Sequence, residues 1–187
     1  MAWEFAVLDF LQQIRTEIGD VFFSTITHLG DGGIVWIMLS LMFLCIKPYR
    51  KYGVAMSLAL IFGLLIGNMT LKPLIARIRP YDINTAIELL IKEPSDFSFP
   101  SGHTLASFNA ALALFYCNRK FGIFAIVLAV FIAFSRMYLY VHYPTDILGG
   151  ILFAVLCSFA AYRITLYLCE KDINGKFFQL ERKPADD

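Results

Sequence analysis

Two histidines, an aspartate and three basic residues fall in the middle of the chain at spacings that suit the handling of a phosphate group. His142 and Asp146 are four residues apart in Ser135-Arg136-Met-Tyr-Leu-Tyr-Val-His142-Tyr-Pro-Thr-Asp146, one helical turn if Pro144 opens a helix. A carboxylate at that spacing orients an imidazole, fixes its tautomer and stabilises the positive charge that grows when the ring acts as a nucleophile. Arg136 adds a planar fork for bidentate contact with phosphoryl oxygens. Each piece alone has an ordinary use, as an interfacial arginine, a helix-start histidine or an aspartate near a helix N-terminus.

Upstream, Phe99-Pro100-Ser101-Gly102-His103-Thr104 precedes an apolar run. Ser101 suits a helix N-cap, the free N–H groups beyond it would point at a bound anion, and Gly102 permits close backbone approach. His103 would stand beside the same anion, able to protonate a leaving oxygen. Further upstream, Lys72 and Arg79 are seven apart in Lys72-Pro-Leu-Ile-Ala-Arg-Ile-Arg79-Pro80, so on a continuous helix they project from one face, two turns apart. Two cations there suit an anion, against the alternative of snorkelling residues at a helix end. Arg77 would point elsewhere, as an interfacial residue.

The elements that must hold these groups are long apolar runs. Of 187 residues 58% are apolar and 16% aromatic, which exceeds a soluble domain's share and points to a bilayer. The formal charge of +1 offers no basic surplus for a nucleic-acid partner. Cys45, Cys117, Cys157 and Cys169 lack short paired spacing and read as small buried residues, and the histidines and cysteines lack zinc-ligand spacing, so neither a metal nor another cofactor is expected.

The fold expected is all-α: an integral membrane helical bundle of about five to six spans with an N-terminal interfacial helix. Residues 1–20 form the amphipathic interfacial helix, with charges that a cleavable leader would not tolerate. Residues 21–168 form the transmembrane domain, and residues 169–187 a charged cytoplasmic tail. Within the domain, spans are expected at Val21–Ile46, broken by the glycines and Asp31 of 28–33, and at Val54–Leu71, Thr104–Tyr116, Gly122–Leu139 and Ile147–Leu168. A polar loop, 72–100, would hold a short helix over Thr85–Ile91. Gly53, Gly63 and Gly67 read as points of close helix approach. Lys47, Arg50, Lys51, Arg119 and Lys120 mark the cytoplasmic ends, which puts 72–100 and 140–146 outside.

Together the three segments resemble the signature K-x6-R-P, P-S-G-H and S-R-x5-H-x3-D of the type 2 phosphatidic acid phosphatase superfamily, strongly over 72–146 and more loosely from about residue 20 to 168. Tyr140 stands where many relatives carry glycine, and Tyr81 where phenylalanine is common. The resemblance implies a metal-independent phosphatase acting on a membrane lipid phosphate. Lys72, Arg79, Ser101, Gly102 and Arg136 would bind phosphoryl oxygens, His142 would be the nucleophile supported by Asp146, and His103 the acid. A phosphohistidine would form and then be hydrolysed. Undecaprenyl diphosphate is the substrate expected first, with phosphatidylglycerophosphate, phosphatidate and diacylglycerol pyrophosphate close behind. The site would face outward from the cell membrane. A phosphotransferase acting through the same site, a vanadate-binding haloperoxidase and an anion transporter are the competing readings; hydropathy speaks against the haloperoxidase and the lack of inverted repeats against the transporter. Oligomeric state is not legible.

Overall fold

In a computed structural model, residues 2–172 and 177–178 are described, and every regular element among them is helical. Helix α1 (Ala2–Gln13) turns through Ile14–Thr16 into α2 (Glu17–His28), which Thr16 caps through its hydroxyl. The single helix expected over 1–20 is thus two, because a side-chain cap at Thr16 starts a new one. After Gly32 and Gly33, both at positive φ, the chain re-enters as α3 (Ile34–Cys45). The α2–α3 pair bends by 41°, as the glycine-rich break predicts.

Helix α4 (Arg50–Gly63) continues through a π-helical stretch, Leu64–Leu71, into the short α5 (Lys72–Ile75). Ala76 then takes a left-handed φ of 46° and ends the helix. A second short helix, α6 (Pro80–Ile83), starts on the proline of the arginine-proline pair. The helix expected over Thr85–Ile91 does not form; the segment makes one turn at 85–86 and then runs irregularly to 100. A segment of seven residues is too short to hold a helix without caps or a packed face. Three long helices complete the bundle: α7 (Gly102–Cys117), α8 (Arg119–Tyr138) and α9 (Pro144–Lys171).

Helix α7 is the axis, packed by α4, α8 and α9. Its Ala110, Ala111 and Ala113 meet Ala125, Ala129 and Ala133 of α8 and Ala154 and Ala161 of α9 in one core, the small-residue packing that lets apolar helices approach in lipid. At the α7–α8 corner, a Cβ on Gly122 would lie 2.1 Å from the Phe115 Cα. Gly53, Gly63 and Gly67 serve the close approach expected of them, against Leu44, Asn109 and Leu105. The outer surface is apolar, with Met38, Phe124, Leu148 and Leu152 exposed. Among the described residues, three helical runs are long and apolar enough to cross a bilayer, four with the bent pair. The expected five to six traverses exceed that count because α7, at 16 residues, is about 24 Å long, short of the ~30 Å hydrocarbon core.

Helix α1 does not lie free. Leu8 is fully buried against Tyr81, Tyr138, Tyr140 and Tyr143, while Trp3, Phe10 and Ile14 face outward, so one face seats on the loop between α8 and α9 and the other is left for an interface. The charged tail falls largely outside the described residues; α9 itself runs three residues past its expected end, to Lys171.

Candidate active site

The α8–α9 loop, 139–143, carries the first half of the site. It leaves α8 through Tyr140 at φ 61°, a left-handed conformation that glycine adopts freely and tyrosine only when its surroundings hold it. Here the buried Tyr140 hydroxyl donates to Asp9 (2.6 Å) and accepts from Asn84 (3.1 Å). The turn presents His142, 1% exposed, with Nδ1 3.4 Å from Asp146 Oδ2 and Nε2 3.3 Å from an Arg79 nitrogen. With the Nδ1 proton toward Asp146, the Nε2 lone pair faces the cavity. Burial first, and then Arg79, Arg136 and Lys72, hold the His142 pKa well below its ordinary value, so the ring is neutral and its lone pair is available at neutral pH.

Asp146 is more heavily bonded than one histidine requires. Its Oδ2 accepts from the Tyr143 N–H (2.9 Å) and the Ser98 hydroxyl (2.5 Å), and its Oδ1 from Arg77 (2.6 Å). The other arm of Arg77 forks onto both Glu4 oxygens, at 2.8 and 2.9 Å, and the guanidinium lies 3.9 Å over the Tyr143 ring. Arg77 is therefore not the interfacial residue expected. The left-handed turn at Ala76 swings it inward, which a continuous helix would not have done.

The same break changes how Lys72 and Arg79 come together. They are not two turns apart on one helix; Lys72 closes the π-helical stretch and Arg79 follows an extended segment. They converge on Asp96, whose Oδ2 accepts from Lys72 and whose Oδ1 accepts from Arg79 (2.5 Å). Burial alone would push the Asp96 carboxyl up, but Lys72 and Arg79 outweigh it and hold the pKa at about 2. Arg79 also donates to the backbone oxygens of Asp96 and Val141, both at 2.7 Å. Asp96 went unremarked in sequence because a lone aspartate in a loop of mixed charge has no spacing signal.

At the head of α7, Ser101 is fully buried and bonds the Thr104 N–H and hydroxyl. It serves as the helix cap, and its hydroxyl is committed there, whereas Gly102 and His103 line the cavity. His103 Nε2 lies 2.8 Å from Asp31 Oδ1, and the other oxygen of Asp31 lies 2.7 Å from His28 Nδ1. Gly30 lets this loop close on the ring, since a Cβ there would sit 2.6 Å from His103 Cδ2. Asp31 was legible only as part of a helix break. Arg136, 2% exposed, donates to Thr27 (2.5 Å) and leaves its Nε without a partner.

Lys72, Arg79, Arg136, His103 and His142 thus surround one end of a cavity of about 810 Å³. The other end runs down between α3, α4 and α7 past Ile37, Leu41, Leu60, Ile61 and Leu64. Cations crowd the upper end and hydrocarbon the lower, the polarity of a lipid with an anionic head. Among the described residues no three His, Cys, Asp or Glu side chains gather as metal ligands.

These features define a cavity within a membrane-spanning helical bundle, cationic at one end and apolar at the other. Residues 48–169 match the model of the PAP2 superfamily, and the chain belongs to that family. It is 32% identical over 131 residues to an undecaprenyl-diphosphatase of Sulfolobus acidocaldarius, covering 70% of this chain and 63% of that one, so it spans under two thirds of that relative's length. It is 29% identical over 180 residues to a lipid A 4'-phosphatase of Bacteroides thetaiotaomicron, covering 87% of this chain and 78% of that one. The crystal structure of a transmembrane PAP2-type phosphatidylglycerolphosphate phosphatase from Bacillus subtilis superposes with a TM-score of 0.73 at 29% identity, over 91% of this chain and 86% of that one.

Proposed function

We propose that the protein is a lipid phosphatase that works through a phosphohistidine, with His142 as nucleophile. The observation that carries this reading is a buried neutral imidazole whose Nε2 faces a cavity ringed by Lys72, Arg79 and Arg136. Phosphoryl transfer needs charge neutralisation and in-line placement above all. The three cations would draw the phosphoryl oxygens in, the Gly102 and His103 N–H groups would meet them at the head of α7, and the lipid tail would lie in the apolar arm.

Nε2 of His142 attacks phosphorus, and the bond from phosphorus to the lipid oxygen breaks. Burial and then Arg136 lower the His103 pKa to about 4, and the negative charge of a bound phosphate would raise it again; His103 so protonated gives its proton to that oxygen, and the lipid leaves as an alcohol or, from a diphosphate, as a monophosphate. His103, now neutral, takes a proton from water, whose oxygen attacks the phosphohistidine and frees inorganic phosphate and His142. Asp146 balances the charge on His142 while the phosphorus–nitrogen bond exists.

Undecaprenyl diphosphate, the substrate expected from sequence, fits the cationic end, as does any lipid with a terminal phosphate. The site opens away from the end that carries Lys47, Arg50, Lys51, Arg119 and Lys120, so by the positive-inside rule it faces the extracytoplasmic side. The test is phosphate release from purified lipid phosphates in detergent, with EDTA present, by wild type and His142→Ala. Release by the wild type alone supports the reading. Equal release by both, or loss of activity with EDTA, overturns the mechanism, and transfer of the phosphate to a second lipid would make the enzyme a transferase.

A further inference from the structure

Helix α1 has two faces with different partners. Its inner face meets the segment that runs from the end of α8 to the start of α9 and carries His142. The Gln12 amide donates to the Tyr138 carbonyl (2.9 Å), Asp9 accepts from the Tyr140 hydroxyl (2.6 Å), and Leu8 is fully buried among the tyrosines. The Phe5 ring meets the Tyr143 ring edge to face, with centroids 5.5 Å apart, and Glu4 accepts from the Thr145 hydroxyl (2.6 Å). Every turn of α1 thus holds a point of this segment, and Tyr140, the residue at positive φ, is among them. A left-handed tyrosine persists only where its surroundings over-determine it, and one of its two hydroxyl partners comes from α1.

The outer face is apolar and exposed. Trp3, Val7 and Phe10 of α1 and Ile14 just beyond it fall at i, i+4, i+7 and i+11, one stripe turned away from the protein. The stripe runs on into α2, where Ile18, Val21 and Phe22 are exposed in their turn. Helix α2 is the first half of the bent pair that is apolar enough to cross a bilayer, so the stripe is continuous with the lipid-facing coat and its occupant is lipid. Helix α1 contains no lysine or arginine, and both its carboxylates are bonded on the inner face. Apolar insertion at the interface, not attraction to anionic head groups, is therefore what can hold it.

We propose that α1 is a splint anchored in the lipid surface: insertion of the outer stripe, on the side to which the site opens, holds the inner stripe against the His142 segment. Turnover then depends on a membrane surface even for a substrate that needs none to reach the site. This role rests on the phosphatase reading above and adds a partner, the bilayer interface, that acts on the rate and not on delivery. A misplacement of about 1 Å can cost on the order of a hundredfold, so a loosened splint shows in kcat.

The test uses the full chain in phosphatidylcholine nanodiscs with short-chain lipid mono- and diphosphates that stay monomeric in water, so that delivery is not limiting. Trp3→Gln combined with Phe10→Gln should lower kcat roughly ten- to a hundredfold with KM little changed. The thermal unfolding midpoint in detergent should stay that of the wild type, because both side chains are more than half exposed. Tyr140→Gly, whose glycine takes the left-handed conformation without strain, should make kcat largely independent of the two outer substitutions. In a Trp36→Phe background, Trp3 fluorescence should be quenched by brominated phosphatidylcholine, equally with and without anionic lipid. Absence of quenching, an unchanged kcat in the double variant, a loss confined to KM, or an equal loss in the glycine background would each overturn the splint while leaving the phosphatase intact. Absence of phosphate release by the wild type from every substrate would overturn the phosphatase reading instead. The splint is then read by amide hydrogen exchange over 138–146 in nanodiscs, which the double variant should speed; unchanged exchange would overturn it.

Discussion

At the scale of single residues, the proposed acid and the proposed phosphate cradle are each bound by a carboxylate outside the signature. Asp31 holds His103 at 2.8 Å and fixes which of its nitrogens carries the proton, as the orienting member of a triad does. Asp31→Asn should lower kcat by roughly tenfold to a hundredfold with little change in KM, since general acid catalysis is worth about 10²–10⁴ in all; an unchanged kcat in steady-state assays would leave Asp31 a merely structural hinge. Asp96 takes the opposite role, because its carboxylate occupies Lys72 and Arg79, two of the cations proposed to receive the phosphate. Asp96→Asn should therefore strengthen inhibition by inorganic phosphate and vanadate several-fold, read as a lower inhibition constant. The same residue sets a pH limit. Its pKa drops from 3.8 to about 2 on folding, so its ionised form contributes stability that is full above the ordinary value and lost as pH falls through the lower one. Thermal melts taken from about pH 5 to about pH 2 should decline more steeply for the wild type than for Asp96→Asn.

At the scale of elements, the first helix is wired to the proposed His142–Asp146 dyad. Glu4, 4% exposed, accepts from one Arg77 nitrogen at both carboxylate oxygens and from the Thr145 hydroxyl (2.6 Å), while the other Arg77 nitrogen reaches on to Asp146. Glu4→Ala strands a buried guanidinium that Asp146 compensates only in part, and should cost about 1–3 kcal/mol of stability, measured by thermal unfolding in detergent. Arg77→Gln should lower kcat more than it raises KM, since Arg77 positions Asp146 and touches no substrate. A glycine at a helix corner gives the other element-scale expectation: Gly122→Ala drives a methyl into the Phe115 backbone, 2.1 Å away, with an overpacking cost of about 1–3 kcal/mol.

What could be read from the sequence follows from the range of each interaction. Arg136 lies in the last turn of α8, His142 on the short loop that follows and Asp146 on the first turn of α9, so their spacing carried their geometry, and the glycines of 28–33 announced the bend. Glu4, Asp31 and Asp96 reach the site across 142, 72 and 17 residues respectively, to Asp146, His103 and Arg79, and carboxylates in loops and first turns are too common to mark themselves. Arg77 was misplaced for a local reason. Alanine is a strong helix former, and nothing in its type announces the left-handed conformation that Ala76 takes.

At the scale of the whole molecule, a bundle with an apolar coat holds a cavity that is cationic above and oily below. A substrate can then enter without its tail leaving hydrocarbon, and only its head exchanges water for the cations. The π-helical stretch Leu64–Leu71 lies midway along one wall of this cavity and sets the face on which Lys72 emerges. A π turn accommodates more residues than an α turn, so this is where the chain carries slack in its length. Loss of one residue here can be absorbed by tightening to an α-helix with Lys72 still aimed inward, whereas the same loss within α7 rotates everything beyond it by about 100°. Length variation among sequences built on this plan should therefore collect in that stretch and spare the central helix.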